Sequence, residues 1–319
     1  MKHTILLVGS GNIGRRHLQA LSTLKRRLEL LVIEPESSAR EATAALLAPF
    51  SDHITTRLQA DWAGIPQSVD LAIVATSAAP RRLVLENLLS ATRPGFVVLE
   101  KVLFTTRRDL DECEEILSQL GIPAAVNCGR RGFHDYDRLR IQLGSRRGLS
   151  MNVVGSDWNL CSNGIHFLDL AAHLFGDMPV SLSEKELEPE PIPSRHPGCI
   201  EFFGSLVAQM AGGGTLKLTS LRSPGVPLAI EISHRNERWT VEESKGRVIY
   251  EIDGVQQSSR PFETMTVSRM GHLYEEILEN RKSRLPSYET SAIHHRLFID
   301  AIRRRLGMRL SEDMPCPIS

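Results

Sequence analysis

Four apolar residues in a row, Ile5-Leu6-Leu7-Val8, stop at Gly9, and beyond the turn Ile13, Leu18, Leu21 and Leu24 recur at helical spacing. That pattern predicts a buried strand, a tight turn and an amphipathic helix. Similar alternation continues through the first 125 residues. Strands are expected at LELLVIEP, at DLAIVAT from Asp70, at GFVVLEK from Gly95 and at AAVN. Helices are expected over PRRLVLENLLSAT and RRDLDECEEILSQL, the second broken by Gly121-Ile122-Pro123. Repeated strand–helix units predict an α/β fold with a doubly wound parallel sheet.

The second half reads differently. NGIHFLDLAAHLFGD predicts one helix, and the proline-rich LEPEPIPSRHPG from Leu187 predicts an irregular loop. IEFFGSLVAQM, GTLKLTSLR, LAIEISHR, RWTVEES and RVIYEID are then divided by turn-forming residues, the signature of an antiparallel sheet. Two helices, HLYEEILENR and SAIHHRLFIDAIRRRL, close the chain. The expected organisation is a Rossmann domain over 1–123 and an α+β domain over 124–319 built on an open antiparallel sheet. The C-terminal helix has the option of packing back on the first domain, and the cleft between domains is the expected reaction site.

Charge changes the picture mainly by exclusion. The 38 basic and 38 acidic residues among 319 cancel, so the basic excess of a nucleic-acid binder is missing. The arginine doublets, Arg26-Arg27, Arg81-Arg82, Arg107-Arg108, Arg130-Arg131 and Arg146-Arg147, lie among acids, and most of them read as solvated faces. Five cysteines without C-x-x-C spacing, and no leader-like segment, suggest reduced thiols in the cytoplasm. No apolar run approaches the ~20 residues of a membrane span.

The first turn carries candidate chemistry. Gly9-Ser10-Gly11-Asn12-Ile13-Gly14 is a G-x-G-x-x-G set between a predicted strand and helix, the context of a dinucleotide cradle. Gly9 allows the turn, Gly11 lets the backbone approach a pyrophosphate, and Gly14 lets helix and strand pack closely. Glu34 ends the next strand, where an acid grips the adenine ribose hydroxyls. A carboxylate about 4 Å from a 2′-phosphate costs on the order of 4 kcal/mol at an effective dielectric near 20, which favours NAD over NADP. Arg40 would soften that repulsion if the loop folds back. Ligands of such sheets sit beyond the carboxyl ends of the strands, which singles out Gly9, Glu34, Thr76, Glu100, Lys101 and Asn127.

These residues, with VGSGNIGRRHL, AIVATS, VVLEKVLF, VNCGRRGFHDYDRLR and NGIHFLDLAAHLFGD, resemble the Gfo/Idh/MocA oxidoreductases along nearly the whole chain. That family is NAD(P)-dependent and acts mostly on sugars and their derivatives. The resemblance implies that Lys101, from the family's E-K-P triplet, lies beside the nicotinamide. It makes His166, from G-x-H-x-x-D, the active-site histidine. Thr76 and Ser77 stand where the family has a Thr-Pro pair on the nicotinamide half, and Asn127 reaches the same side. The IGRRHL, VNCGRR and NGIHFLDL variants look like members of bacterial surface-polysaccharide and nonulosonic-acid sugar pathways. Two positions depart from the pattern: Val102 replaces the proline of E-K-P, and Ser162 stands where an Asp often precedes the histidine by four residues. A Lys–His pair then stands where many members use three groups.

The chemistry of these residues is legible on its own terms. A free lysine titrates near 10.4, so lowering it to about 7–8 to act as a base takes about 4 kcal/mol. Burial and the charge of oxidised nicotinamide push that way. In reduction, protonated Lys101 would polarise the carbonyl and donate its proton. The bland alternative is a strand-end cap or a partner for Glu100. His166, Asp169 and His173 fall at i, i+3 and i+7, which suits a metal or a buried polar seam. The family needs no metal, so none is expected. His166 is expected to relay a proton or anchor a substrate hydroxyl, Asp169 to orient its ring, and His173 to be structural. Asn163 shares the helix start. Arg16, Arg130 and Arg131, with Arg15, are candidates for a substrate phosphate or nucleotide diphosphate.

The leading function is hydride transfer between nicotinamide and a sugar or sugar nucleotide, with a homodimer or homotetramer implied by resemblance. Transient NAD oxidation without net redox is an alternative within the class. A nucleotide-binding regulator that lost its chemistry is the alternative outside it.

Overall fold

The computed structural model describes residues 2–50, 53–311 and 313–319. The chain divides into two compact units. One comprises Met1–Phe104, Arg108–Asn127 and Met265–Ala292; the other comprises Thr105–Arg107, Cys128–Thr264 and Ile293–Ser319.

The first unit holds a six-stranded parallel sheet. Its strands, in spatial order, are Ile54–Gln59, Arg27–Ile33, Lys2–Val8, Leu71–Val74, Val97–Leu99 and Ala124–Val126. The run Ile5 to Val8 is buried because helices cover both faces of such a sheet, which explains its continuous apolar character. The order reverses direction on either side of Lys2–Val8, so the strand ends there open a crevice. Helix Asn12–Leu21 follows the first turn, and helix Gly271–Asn280 packs on it. That contact is close: a Cβ at Gly271 would meet Thr23 Oγ1. Arg26 reaches across to Glu275 and Glu279 at 2.5 Å each.

The second unit holds an eight-stranded sheet. In order the strands are Pro179–Leu187, Gly204–Met210, Thr215–Leu221, Ser150–Ser156, Ala229–His234, Glu237–Glu242, Arg247–Ile252 and Val255–Pro261. All neighbours run antiparallel except Thr215–Leu221 with Ser150–Ser156. Alternate positions, such as Met151, Val153, Leu216 and Leu218, are buried. Helix Leu160–Phe175 packs on strand Thr215–Leu221. Its first turn is capped from afar: Glu201 accepts the Cys161 and Ser162 amides at 2.5 and 3.1 Å and the Ser162 hydroxyl at 2.5 Å. A carboxylate satisfies donors that the helix itself leaves open.

The α/β architecture with a parallel sheet and a second, mostly antiparallel sheet matches the expectation. Reading most of the arginine doublets as solvated faces needs correction. Arg81 is 1% exposed, and Arg26, Arg82, Arg107, Arg130, Arg131 and Arg146 are half-buried and ion-paired.

Gly164 is where helix Leu160–Phe175 meets Phe298, whose ring would lie 2.8 Å from an added Cβ. Gly164→Ala is therefore expected to cost about 1–3 kcal/mol by overpacking. Urea unfolding of the variant checks it, and an unchanged midpoint would contradict this close packing.

Candidate functional site

In the first unit the glycine turn has the geometry its motif predicts. Gly9 takes φ +87, and its amide donates to the Ile33 carbonyl at 2.9 Å. A Cβ on Gly14 would stand 2.1 Å from the Gly9 carbonyl oxygen, so only glycine fits. Around Gly11, by contrast, an added Cβ meets nothing within 4 Å. The turn is tight where helix meets strand and open where Gly11 heads the helix, as a dinucleotide requires. Asn12 and Ile13 form the first helical turn. Arg15 folds over it, donating to the Ser10 carbonyl at 3.0 Å and to Asn12 Oδ1 at 2.8 Å. Arg16 is exposed.

Glu34 is buried, accepting the Ser10 amide at 2.6 Å and the Glu36 amide at 3.1 Å. Its carboxylate is fixed beside the glycine turn, with further lone pairs on each oxygen for hydroxyl donors. Arg40 does fold back, but its Nη1 is committed to the Glu34 and Pro35 carbonyls at 2.8 and 2.5 Å. Thr76 Oγ1 is shielded from solvent without a hydrogen-bond partner among the described residues. A bound molecule can satisfy it. The residues present therefore fit a dinucleotide.

Lys101 follows the Val97–Leu99 strand, and its peptide bond to Val102 is cis. Buried Arg81 ties the surrounding loops together. It donates to the Val102 carbonyl, to the Leu103 carbonyl at 2.6 Å and to the Thr76 carbonyl. Burial lowers its pKa to about 10 against the opposing charge of Glu100, so it stays a cation at neutral pH. Glu100 Oε1 accepts Nε2 of fully buried His17 at 2.8 Å and Nδ2 of Asn127 at 2.5 Å. The other ring nitrogen of His17 is bonded to the Tyr274 hydroxyl. Burial raises the Glu100 carboxyl pKa, but His17, Asn127 and the charge of Lys101 outweigh it and hold the group below its ordinary range.

In the second unit, Asn163 and His166 are half-buried on helix Leu160–Phe175, whereas Asp169 is fully enclosed. Asn163 donates to the Trp158 carbonyl at 2.9 Å. The Asp169 carboxylate lies 3.0 Å from Arg131 Nε and 3.6 Å from His294 Nδ1. Burial pushes its pKa up to about 7, with Arg131 opposing. Burial, His295 and Arg131 push His294 down to about 3. His173 lies 3.5 Å from Asp137, and burial, Arg131 and Arg140 lower it to about 4. Arg130 spends Nε and Nη2 on Glu243 at 3.1 and 3.0 Å, and stacks 4.2 Å above Phe167.

Sequence reasoning named Glu100 and Asn127 but missed His17, Tyr274, Arg81 and His294. His17 carried one usable signal, a polar residue immediately before Leu18 on the apolar face of a helix. Tyr274 lies 257 residues away in sequence, and no local pattern connects the two.

Residues 3–127 match the model of an oxidoreductase family with an NAD-binding Rossmann fold, Gfo/Idh/MocA. The family resemblance and the NAD cofactor thus hold for this part of the chain. No curated protein sequence matches the chain. Among solved structures, UDP-N-acetylglucosamine 3-dehydrogenase GnnA from Acidithiobacillus ferrooxidans is similar at TM-score 0.71 and 15% identity, over 97% of this chain and 98% of that one. An oxidoreductase from Agrobacterium radiobacter, in complex with NAD+, L-tartaric acid and magnesium, gives 0.77 and 12%, over 97% and 98%. A super-repressor mutant of Gal80p from Saccharomyces cerevisiae gives 0.74 and 12%, over 97% of each chain. At these identities the likeness is one of fold.

Two predictions follow from this geometry. Glu34→Gln removes the charge that repels a 2′-phosphate, so the ratio of NADP to NAD affinity should rise about tenfold or more. Fluorescence titration of both reduced cofactors measures it; an unchanged ratio would contradict the assigned role. Asp169 binds its proton more tightly folded than unfolded, so its contribution to stability is full below about 4 and lost as pH rises through about 7. Between pH 5 and 8 the native chain should therefore lose about 2 kcal/mol relative to Asp169→Asn. Denaturant melts at the two pH values check the sign, which buried His294 does not mimic because its penalty acts as pH falls below about 6.5.

Proposed function

We propose that the chain is an NAD-dependent oxidoreductase moving hydride between nicotinamide and a secondary alcohol or ketone of a sugar or sugar nucleotide. The observation that carries this reading is the glycine cradle with Lys101 at the sheet's carboxyl edge, anchored behind by an ionised Glu100.

The backbone of Gly9, Gly11, Asn12, Ile13 and Gly14 would hold the pyrophosphate. Glu34 would take the adenine ribose, and Thr76 and Ser77 the nicotinamide half. When bound, NAD accepts or supplies the hydride. Asn127 contributes by fixing Glu100. Lys101 holds the proton that leaves or joins the substrate oxygen as hydride moves. His166 is the second proton-handling group, or the anchor for a neighbouring hydroxyl. Asn163 extends that polar face, while Asp169, enclosed in the protein, fixes Arg131. Arg16 and Arg131 are the better candidates for a phosphate, because Arg130 has most of its fork committed to Glu243.

A sugar-nucleotide substrate is supported by the fold shared with the UDP-N-acetylglucosamine 3-dehydrogenase. A role in bacterial surface-polysaccharide synthesis and a homodimer or homotetramer belong to the same proposal. All five cysteines are free, which suits a reducing cytoplasm. A regulatory role without turnover is the second reading, favoured by the Gal80p likeness.

Lys101→Met separates the two readings. Its turnover with nucleotide sugars should fall at least about 100-fold while NADH affinity stays within about twofold, since the lost group acts on the proton and not on the cradle. A wild-type rate in the variant would remove Lys101 from the mechanism. A wild-type chain that binds NADH but turns over none of a broad sugar panel would favour the regulator.

A further inference from the structure

Glu100 is a buried acid to which three parts of the first unit contribute. His17 comes from helix Asn12–Leu21, Tyr274 from helix Gly271–Asn280, and Asn127 from the end of strand Ala124–Val126. Burial and the Glu100 charge both raise the Tyr274 pKa, so the phenol keeps its proton. Nε2 of His17 faces an ionised carboxylate, which only accepts, so the ring carries a proton there, and its Nδ1 is bonded to the Tyr274 hydroxyl. Nε2–H donates to Glu100 Oε1, which also receives Asn127 Nδ2–H. Both side chains that touch Glu100 Oε1 donate to it, and Tyr274 holds the far side of the imidazole.

We propose that His17 is a positioning residue: held between Tyr274 and Glu100, it fixes Glu100 as an oriented carboxylate beside Lys101 and keeps Lys101 an ammonium. The other charged groups acting on Glu100 work in the same direction. Arg81, on helix Ala78–Ala91, and Lys101 itself both favour the ionised acid. The Lys101 charge favours the ionised Glu100, and by the same interaction the ionised Glu100 favours the ammonium of Lys101. The first unit therefore presents a proton donor at neutral pH, the form that reduces a carbonyl. Oxidation of an alcohol requires that proton to leave first. Its meaning for catalysis rests on the reading of Lys101 as the acid–base group.

The test reads the ammonium directly. The chain has seven lysines, so reductive 13C-dimethylation gives a short set of NMR signals; the one missing in Lys101→Arg is Lys101. In Glu100→Gln its titration should move down by about one pH unit or more. In His17→Leu the same signal should gain an acid-side inflection nearer neutrality, as the unsupported Glu100 takes up a proton at higher pH. His17→Gln, whose amide donates to Glu100, should remove that inflection. Tyr274→Phe, which leaves the packing in place, should show a smaller version and serves if His17→Leu does not fold. An unmoved Lys101 titration in Glu100→Gln would overturn the proposal. So would the absence of an acid-side inflection in the folded His17→Leu and Tyr274→Phe proteins. No turnover is needed for this readout, so failure to find a substrate counts against the enzyme reading alone.

Discussion

Position 14 admits no side chain, because a Cβ there would lie 2.1 Å from the Gly9 carbonyl oxygen. This exclusion lets helix Asn12–Leu21 approach the first strand closely, with its amide-bearing end at the open Gly11. It has a second consequence one helical turn later. His17 lies three residues beyond Gly14 on the same face, so the close approach carries its ring inward to Glu100. Helix Gly271–Asn280 closes on the other side through Gly271, and brings the Tyr274 hydroxyl to the same ring. Backbone proximity at two glycines thus shapes both the cradle and the polar chain behind Lys101.

Three buried carboxylates show that burial does not set protonation by itself. Burial raises Glu100, but the hydrogen bond and the electrostatic effect of His17, then the Asn127 hydrogen bond and the charge of Lys101, hold it below its ordinary range. Asp169, equally enclosed, is pushed up to about 7 because Arg131 offsets only part of its desolvation. Glu201 is raised by burial as well, although two amides and a hydroxyl donate to it. Within the folded chain, hydrogen bonds combined with the electrostatic effects of His17 and Lys101 overcome burial at Glu100, whereas the hydrogen bonds to Glu201 do not overcome its burial.

The apolar runs made most of the fold readable, and they did so where strands are buried on both faces. Ile5 to Val8, Leu30 to Ile33 and Leu71 to Val74 are all core. The strand Ile54–Gln59 escaped notice because it lies at the sheet edge, with Thr55, Thr56 and Arg57 exposed and no apolar run to mark it. Helix Ser37–Leu47 buries only Thr43 and Leu47, too few to show a period. In the second unit Ser150–Ser156 and Pro179–Leu187 were missed; serines, glutamates and a lysine interrupt their apolar positions. Among site residues, glycines and strand-end polar groups were legible because their chemistry is local. Arg81 looked like half of a surface doublet, and only its three backbone acceptors reveal it as a buried tie.

Ser162 illustrates how a departure from a family pattern can be coupled to another residue. Taken alone, it removes a carboxylate from the turn before His166. In the folded chain its hydroxyl donates to Glu201, which also accepts the amides of Cys161 and Ser162. An aspartate at 162 would set a second carboxylate against a buried one whose pKa is already raised by desolvation. Two acids in such contact cannot both ionise without a large cost. Glu201 is buried and anchored by the first turn of the helix, so a neighbour that donates a hydrogen bond is electrostatically preferred to one that adds charge. The serine is then the complement of the glutamate, and the pair puts a carboxylate behind the histidine helix through a strand residue.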